Sequence, residues 1–369
     1  MLVSFASTKL FSTYQVNQEI PSSWVLDSRL DSARAGTFRN QFTTPALVTP
    51  AIGGAIPHLT KDLLEDHTNR TLFMSIPYAD VQGFAGLGKN IRECLSIDDN
   101  VFTIVTRKSA FETRPDPKLC IEEALLNNFV YNVECELKPD LWVCPYDPVP
   151  ESVGSNRNSL AIHRTANWNS MFSGSRKVSA IVGKDAKSVE ISLRTATDPC
   201  VKPAGYFVDV GSRFVEITVA KYLPSELPRI VSASVSSPLR ILELIAEGYD
   251  LVETSYPYFL AKSGFASSFS LADMENVTAL TSDMSFDVRS KLLLLNQDPL
   301  VRGCYCFTCR NHSAAYVRHL IETHEMLGET LLFAHNLFML LRLVDTARKK
   351  IIDGSFLNWF EQWKKQNDV

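Results

Sequence analysis

Between positions 178 and 256 short apolar runs alternate with longer polar stretches that suit helices. Residues 178–182 are apolar, 185–197 read as helix, 205–210 are apolar again, and 213–222 return to helix. Residues 228–235 then read as strand, and 237–247 as a helix whose buried face carries Ile241, Leu242, Leu244 and Ile245. Gly248 closes that helix at the C′ position, where a left-handed backbone favours glycine. Residues 251–256 form the next strand. Consecutive strand–helix units of this kind demand a parallel sheet with helical crossovers.

A less regular version of the rhythm precedes it. Residues 45–49, 71–75, 101–105 and 141–144 read as strands, and 120–129 and 159–171 as helices. About eight strands over some 260 residues suit a closed (β/α)8 barrel better than a doubly wound sheet, and no glycine-rich phosphate loop follows the first strand. Near 265–297 the rhythm gives way to Ser, Thr, Asp and Asn, which reads as an insertion or flexible connector. The expected organisation is an α/β barrel over 1–297 and a helical segment over 298–369 packed on it. Within that segment, 313–350 read as continuous helix. A last amphipathic piece, 356–365, carries Trp359, Phe360 and Trp363, which are too apolar for a free tail and should dock on the barrel or on a partner.

The 369 residues suffice for a large core, with 45% hydrophobic and 21% charged side chains. A net charge of −4 argues against a broadly basic surface, so any nucleic acid must meet a local patch or be held by another subunit. No run approaches the roughly 18 apolar residues of a membrane-spanning helix, and residues 1–13 lack a cleavable apolar core. Cys94, Cys120, Cys135, Cys144 and Cys200 have no disulfide-framework spacing, which points to a reducing, intracellular compartment. The sequons at Asn69 and Asn276 then carry no glycan.

The other cysteines are clustered: Cys304, Cys306 and Cys309 fall within six residues. Thiolates this close repel one another, and a soft divalent cation resolves the conflict; three sulfurs and one imidazole suit tetrahedral zinc. On spacing alone His312 and His335 are equal candidates for the fourth ligand, with His319 and His324 behind as solvent-facing helix residues. Four protein ligands leave no open position, so the metal would be structural and not catalytic.

The stretch from Asp298 through Cys304, Cys306, Cys309 and His319 to Leu320, with His335-Asn336 downstream, resembles the zinc segment of tRNA-guanine transglycosylases. Ala33-Arg34-Ala35-Gly36, Thr44 to Pro50 and Pro57-His58-Leu59-Thr60 resemble the start of that family's barrel, and Gly248 to Pro257 its nucleophile-bearing strand. The resemblance implies a modified (β/α)8 TIM barrel and one structural zinc on Cys304, Cys306, Cys309 and His335. It also implies guanine exchange in tRNA through an aspartate that attacks the ribose anomeric carbon.

Three catalytic elements depart from the family pattern. Glu253 stands at the nucleophile position. A glutamate can serve as nucleophile, but its extra methylene moves the carboxylate by more than about an ångström, where such misplacement can cost about a hundredfold. No Asp-Ser-Gly-Gly-Phe-Gln motif lies between Thr71 and Val105, where Gln82-Gly83-Phe84 is a faint echo. The base-recognition segment is replaced by residues 204–210, with Asp209 for its glycine and Val210 for its acid. An intact zinc element beside altered catalytic elements resembles the family's non-catalytic eukaryotic subunit. The resemblance then implies a heterodimer with a catalytic queuine tRNA-ribosyltransferase subunit, and contact with tRNA through the complex. Glu253 becomes a vestigial nucleophile position; an active transglycosylase using Glu253 is the alternative. Asp80, Asp98 and Asp99 are acids that could stand in as general base. Arg310, Arg318, Arg342, Arg348, Lys349, Lys350, Lys364 and Lys365 could form a basic patch. The expected location is the cytoplasm, with a peripheral place on the mitochondrial outer membrane as the alternative.

Overall fold

A computed structural model describes residues 24–60, 63, 71–107, 123–149, 152–198, 200–210, 213–233, 235–271 and 284–367. Met1, Asn69, Cys120 and Asn276, and the readings made on them, lie outside the described residues.

Eight parallel strands close into a barrel in chain order: β4 (Ala46–Pro50), β5 (Leu72–Pro77), β6 (Val101–Thr106), β7 (Leu141–Val143), β8 (Lys177–Gly183), β9 (Gly205–Val210), β10 (Arg229–Ser232) and β11 (Leu251–Glu253). Closure pairs Leu251 with Ala46, Val252 with Leu47 and Glu253 with Val48. The expected (β/α)8 barrel is therefore the observed fold. Parallel strands covered on both faces read as unbroken apolar runs, and β8 is buried along its whole length.

Side chains alternate across each strand. Val48, Phe73, Ile104, Leu141, Val143, Ala180, Val182, Phe207, Ile230 and Leu251 fill the barrel interior, while Leu47, Met74, Val105, Trp142, Ile181, Val208, Val231 and Val252 pack outward with the helices. Continuing the inward rows by two residues reaches Ser75, Thr106, Asp209, Ser232 and Glu253, a polar layer at the C-terminal rim.

A three-stranded antiparallel sheet, β1 (Trp24–Leu30), β2 (Ala33–Phe38) and β3 (Phe42–Thr44), closes the opposite end. Phe38 and Phe42 at its hairpin pack on Phe102 and Phe73, with ring centroids 4.8 Å and 5.8 Å apart respectively. Gly36 has no substitute here, because a Cβ would stand 2.5 Å from the Trp24 ring. Ion pairs finish this end: buried Arg34 Nε donates to buried Asp250 at 3.0 Å, and buried Asp140 accepts from the more exposed Arg92 and Arg39 at 2.6 Å each.

The crossovers include α1 (Tyr78–Val81), α2 (Ile91–Leu95), α3 (Glu123–Tyr131), α4 (Ser155–Met171), α5 (Ala186–Ala196), α6 (Arg213–Tyr222), α7 (Pro238–Glu247) and α8 (Tyr256–Lys262). Asp185 caps α5 through a reciprocal box with Ser188, and Ser237 caps α7. Gly248 ends α7 with φ 99°, as its position suggested. Lys177 is fully buried, and its Nζ donates to the carbonyls of Asn169 and Phe172 at 2.8 and 2.7 Å. It thus places a cation on the negative end of α4.

The serine-rich stretch after the barrel is less of a connector than its composition suggested. β12 (Phe265–Ser267) and β13 (Ser285–Asp287) pair antiparallel, and Phe269 and Leu271 are buried. Beyond them come α9 (Phe307–Asn311), α10 (Ala314–Glu322), α11 (Met326–Ile352) and α12 (Phe356–Gln366). The expected single helix is broken at Thr323–Glu325, where His324 is left-handed at φ 58°. The break lets the chain fold back. Gly328 meets Ile321 so closely that a Cβ would lie 2.9 Å from it.

α11 lies against α8, β12, β4, β1 and β2. Among the described residues it is the one helix long and apolar enough to span a membrane, but 78% of its most apolar window is buried within the protein. It is a core helix. The terminal aromatics dock as expected: Trp359, Phe360 and Trp363 are buried, and Trp363 Nε1 donates to Ser270 O at 2.9 Å.

Candidate metal centre and barrel mouth

The loop before α9 and the middle of α11 bring Cys304, Cys306, Cys309 and His335 together, all buried, with their ligand atoms within 4.8 Å of one another. Cys306 caps α9, and its sulfur accepts from the Cys309 amide at 3.3 Å. Thr308 Oγ1 donates to Leu331 O at 2.7 Å and ties α9 to α11 one turn before His335. His335 Nδ1 lies 3.7, 3.5 and 3.4 Å from the sulfurs of Cys304, Cys306 and Cys309. A tetrahedral ion with metal–sulfur bonds of about 2.3 Å and a metal–nitrogen bond of about 2.0 Å separates N from S by roughly 3.5 Å, so the donor set fits.

The imidazole is oriented from behind. His335 Nε2 is 2.9 Å from Ser267 O, which fixes the hydrogen on Nε2 and leaves Nδ1 with its lone pair toward the sulfurs. The next residue holds the same strand: Asn336 accepts from Ser267 N at 2.7 Å and donates to Phe265 O at 3.0 Å. Hydrogen bonds from Cys304 and Cys306 pull the Cys309 thiol below its ordinary range, and the same contacts push Cys304 up. Three thiols cannot all ionise here without a cation; one metal ion held by this group would supply the missing charge.

Of the two histidines that spacing left equal, the structure selects His335. His312 stacks on Tyr316 at 5.3 Å, outside the cluster, while His319 and His324 are exposed.

At the barrel mouth Glu253 ends β11, facing inward and only 4% exposed. The loop after β7 lowers Tyr146 into the mouth, where its ring packs 5.5 Å from Phe207. Burial and the nearby carboxylates of Asp209 and Glu253 push the Tyr146 hydroxyl well above its ordinary range, so it stays protonated and donates to Asp209. Asp147 pins the loop: it pairs with Arg157 and with Arg164 at 3.4 Å, and its amide donates to Thr165 Oγ1 at 3.1 Å. Sequence reasoning missed Tyr146. Its one signal was the Pro145-Tyr146-Asp147-Pro148 run directly after a strand.

Of the acids suggested as stand-in bases, only Asp80 lies at the same end of the barrel as Glu253. Asp98 and Asp99 precede β6, at the opposite end of the barrel, and Asp80 lies in α1 after β5. The basic side chains of the C-terminal helices are largely engaged. Arg318 pairs with Glu322 and Arg348 with Asp345; Lys350 and Lys364 lie 3.6 and 2.5 Å from Asp353 and Glu361. Arg342 lies 4.8 Å over the Tyr305 ring.

Comparison with known proteins agrees with this geometry. The family model described as queuine tRNA-ribosyltransferase matches residues 29–368. A protein of Drosophila grimshawi named queuine tRNA-ribosyltransferase accessory subunit 2 is 25% identical over 380 aligned positions, covering 92% of this chain and 90% of its own. An accessory subunit 2 of Pongo abelii is 31% identical over 43% of this chain and 47% of its own. A queuine tRNA-ribosyltransferase of Natranaerobius thermophilus is 35% identical over 40% of this chain and 36% of its own. With the match running through barrel and metal centre alike, the chain belongs to the queuine tRNA-ribosyltransferase family.

Proposed function

We propose that this chain is a non-catalytic subunit of a heterodimeric queuine tRNA-ribosyltransferase, supporting exchange of guanine for queuine at the anticodon wobble position. One observation carries the reading: the metal donor set is complete, while the carboxylate at the nucleophile position is a glutamate buried to 4% exposure. Attack on a ribose carbon needs a carboxylate that reaches substrate in line, and the burial of Glu253 opposes that. The likeness to accessory subunits over nine-tenths of the chain supports the same view.

The ion is zinc, held by Cys304, Cys306, Cys309 and His335 as a structural cross-link that leaves no position for substrate. The unit from residue 298 onward, with the strands it grips, is the pairing element. Leu292 and Leu295, just before this unit, and Met326 within it are 81, 83 and 86% exposed and would offer a partner apolar side chains. tRNA is met through the complex. We place the subunit in the cytoplasm, where a reducing medium keeps its surface Cys94, Cys135 and Cys200 free, with a peripheral seat on the mitochondrial outer membrane as the alternative.

The test is guanine exchange on tRNA by the purified chain, by the catalytic paralogue, and by the two together. Activity is expected only with the pair. The second reading, an active enzyme using Glu253, is favoured by the survival of a carboxylate at the end of β11. Trapping a covalent RNA adduct on Glu253 would establish that reading and overturn ours.

A further inference from the structure

At the closed end of the barrel, opposite Glu253, a cavity of about 120 Å3 lies between β1, β2 and the ends of α6 and α7. Its lining includes four cations, Arg29, Arg34, Lys221 and Arg229, with Ser225 and the single carboxylate of Glu247. Arg34 is 2% exposed; its Nε donates to Asp250 and its Nη2 to Leu227 O at 2.9 Å, with the guanidinium 4.5 Å over the Trp24 ring. Nη1 of this buried side chain has no hydrogen-bond partner, and neither does Glu247 Oε2. A charged donor left bare in the interior costs about 1–3 kcal/mol, so such a group is an invitation to a ligand.

We infer that this cavity binds hydrogen phosphate, with Arg34 Nη1 donating to an anionic oxygen and Glu247 Oε2 accepting the ligand's own proton. The cavity has room for one tetrahedral oxyanion. Burial first, and then Arg34 and Arg29 nearby, lower Arg229 to about 10. Four of the five guanidinium N–H groups of Arg229 serve the carbonyls of Leu223, Pro224 and Gly248. Arg229 supplies field, while exposed Arg29 and Lys221 supply capture at the rim. Above pH 7, where it is ionised, the lone carboxylate gives selectivity, because sulfate carries no proton and meets Glu247 as a like charge.

Calorimetric titration of the full chain at pH 8.5, where Glu247 is ionised, and fixed ionic strength tests this, with sodium phosphate, sodium sulfate and glycerol 3-phosphate as probes. Expected is saturable one-to-one binding of phosphate, with sulfate and the ester each weaker by about tenfold or more, one charge-assisted hydrogen bond's worth. The rim variant Arg29→Gln with Lys221→Gln, checked for an unchanged circular dichroism spectrum, should lose about tenfold in phosphate affinity. Glu247→Gln should bring sulfate level with phosphate. Absence of saturable phosphate binding, equal binding of sulfate or the ester to the unaltered chain, or a rim variant of undiminished affinity would each overturn the assignment.

Discussion

Removing the metal, or the imidazole that closes its site, should loosen the C-terminal helices by a calculable amount. Cys304 and His335 are 31 residues apart in sequence, and a shared ion closes the chain between them as a covalent bridge would. The chain-entropy relation for a loop of that length gives ~4 kcal/mol of stabilisation. Unfolding entropy of about 2.1 cal/mol/K per residue, summed over 369 residues, converts this to a fall in Tm of about 5 °C. Little is regained or lost at the sulfurs, because protonated thiols are tolerable in an apolar pocket. Scanning calorimetry and metal analysis should be run together on the unaltered chain, with and without a strong chelator, and on His335→Ala. The mutant should start near the chelated midpoint and ignore the chelator. His319→Ala, at an exposed histidine outside the site, should match the unaltered chain in both measurements. Metal content falling to zero with Tm moving by less than about 1 °C would refute the cross-link reasoning.

Other parts of the fold give sharp expectations. Lys177→Met strips two carbonyls at the end of α4 of their donor and should cost about 3 kcal/mol in urea unfolding. Burial, with repulsion from Glu216 and Glu243, outweighs the pull of Arg240 and pushes the Glu247 carboxyl from 4.5 up to about 7. The folded chain therefore keeps a proton that the unfolded chain releases, and stability falls as pH rises from about 4.5 through 7. Glu247→Gln should flatten that descent by on the order of 2–3 kcal/mol, read from urea midpoints at pH 5 and 8 in phosphate-free buffer. Trp363→Ala removes the bond to Ser270 O and the contact with Phe269, a loss of about 3–5 kcal/mol that should expose α12 to limited proteolysis.

The barrel was legible because a parallel strand buried on both faces writes itself as a solid apolar run, as β8 does, and amphipathic helices such as α7 separate the runs. The metal site was legible because Cys304, Cys306 and Cys309 state their chemistry by proximity alone. Contacts between distant segments left no such trace. That Ser267 orients His335 depends on a pairing 68 residues apart, and a Ser-rich composition disguised the strand that carries it. Tyr146 entered the mouth from a loop, where no periodicity records the direction of a side chain. His324 broke an apolar helical pattern that continued on either side, and neither Gly nor Pro marked the turn.

His335 and Asn336 sit side by side on α11, one turned to the cysteine loop and the other to the backbone of β12. Advancing the helix by one residue would turn each away by about 100° and forfeit both connections together. The pair therefore works as a key in a shaft, locking rotation and translation of the longest helix at a single point. An extra residue in the 323–325 turn could be absorbed ahead of that key. One inserted just beyond Asn336 would instead swing Leu340, Leu343 and Ala347 off the core while leaving the metal in place, giving a protein that binds its ion and still fails to seat its own tail.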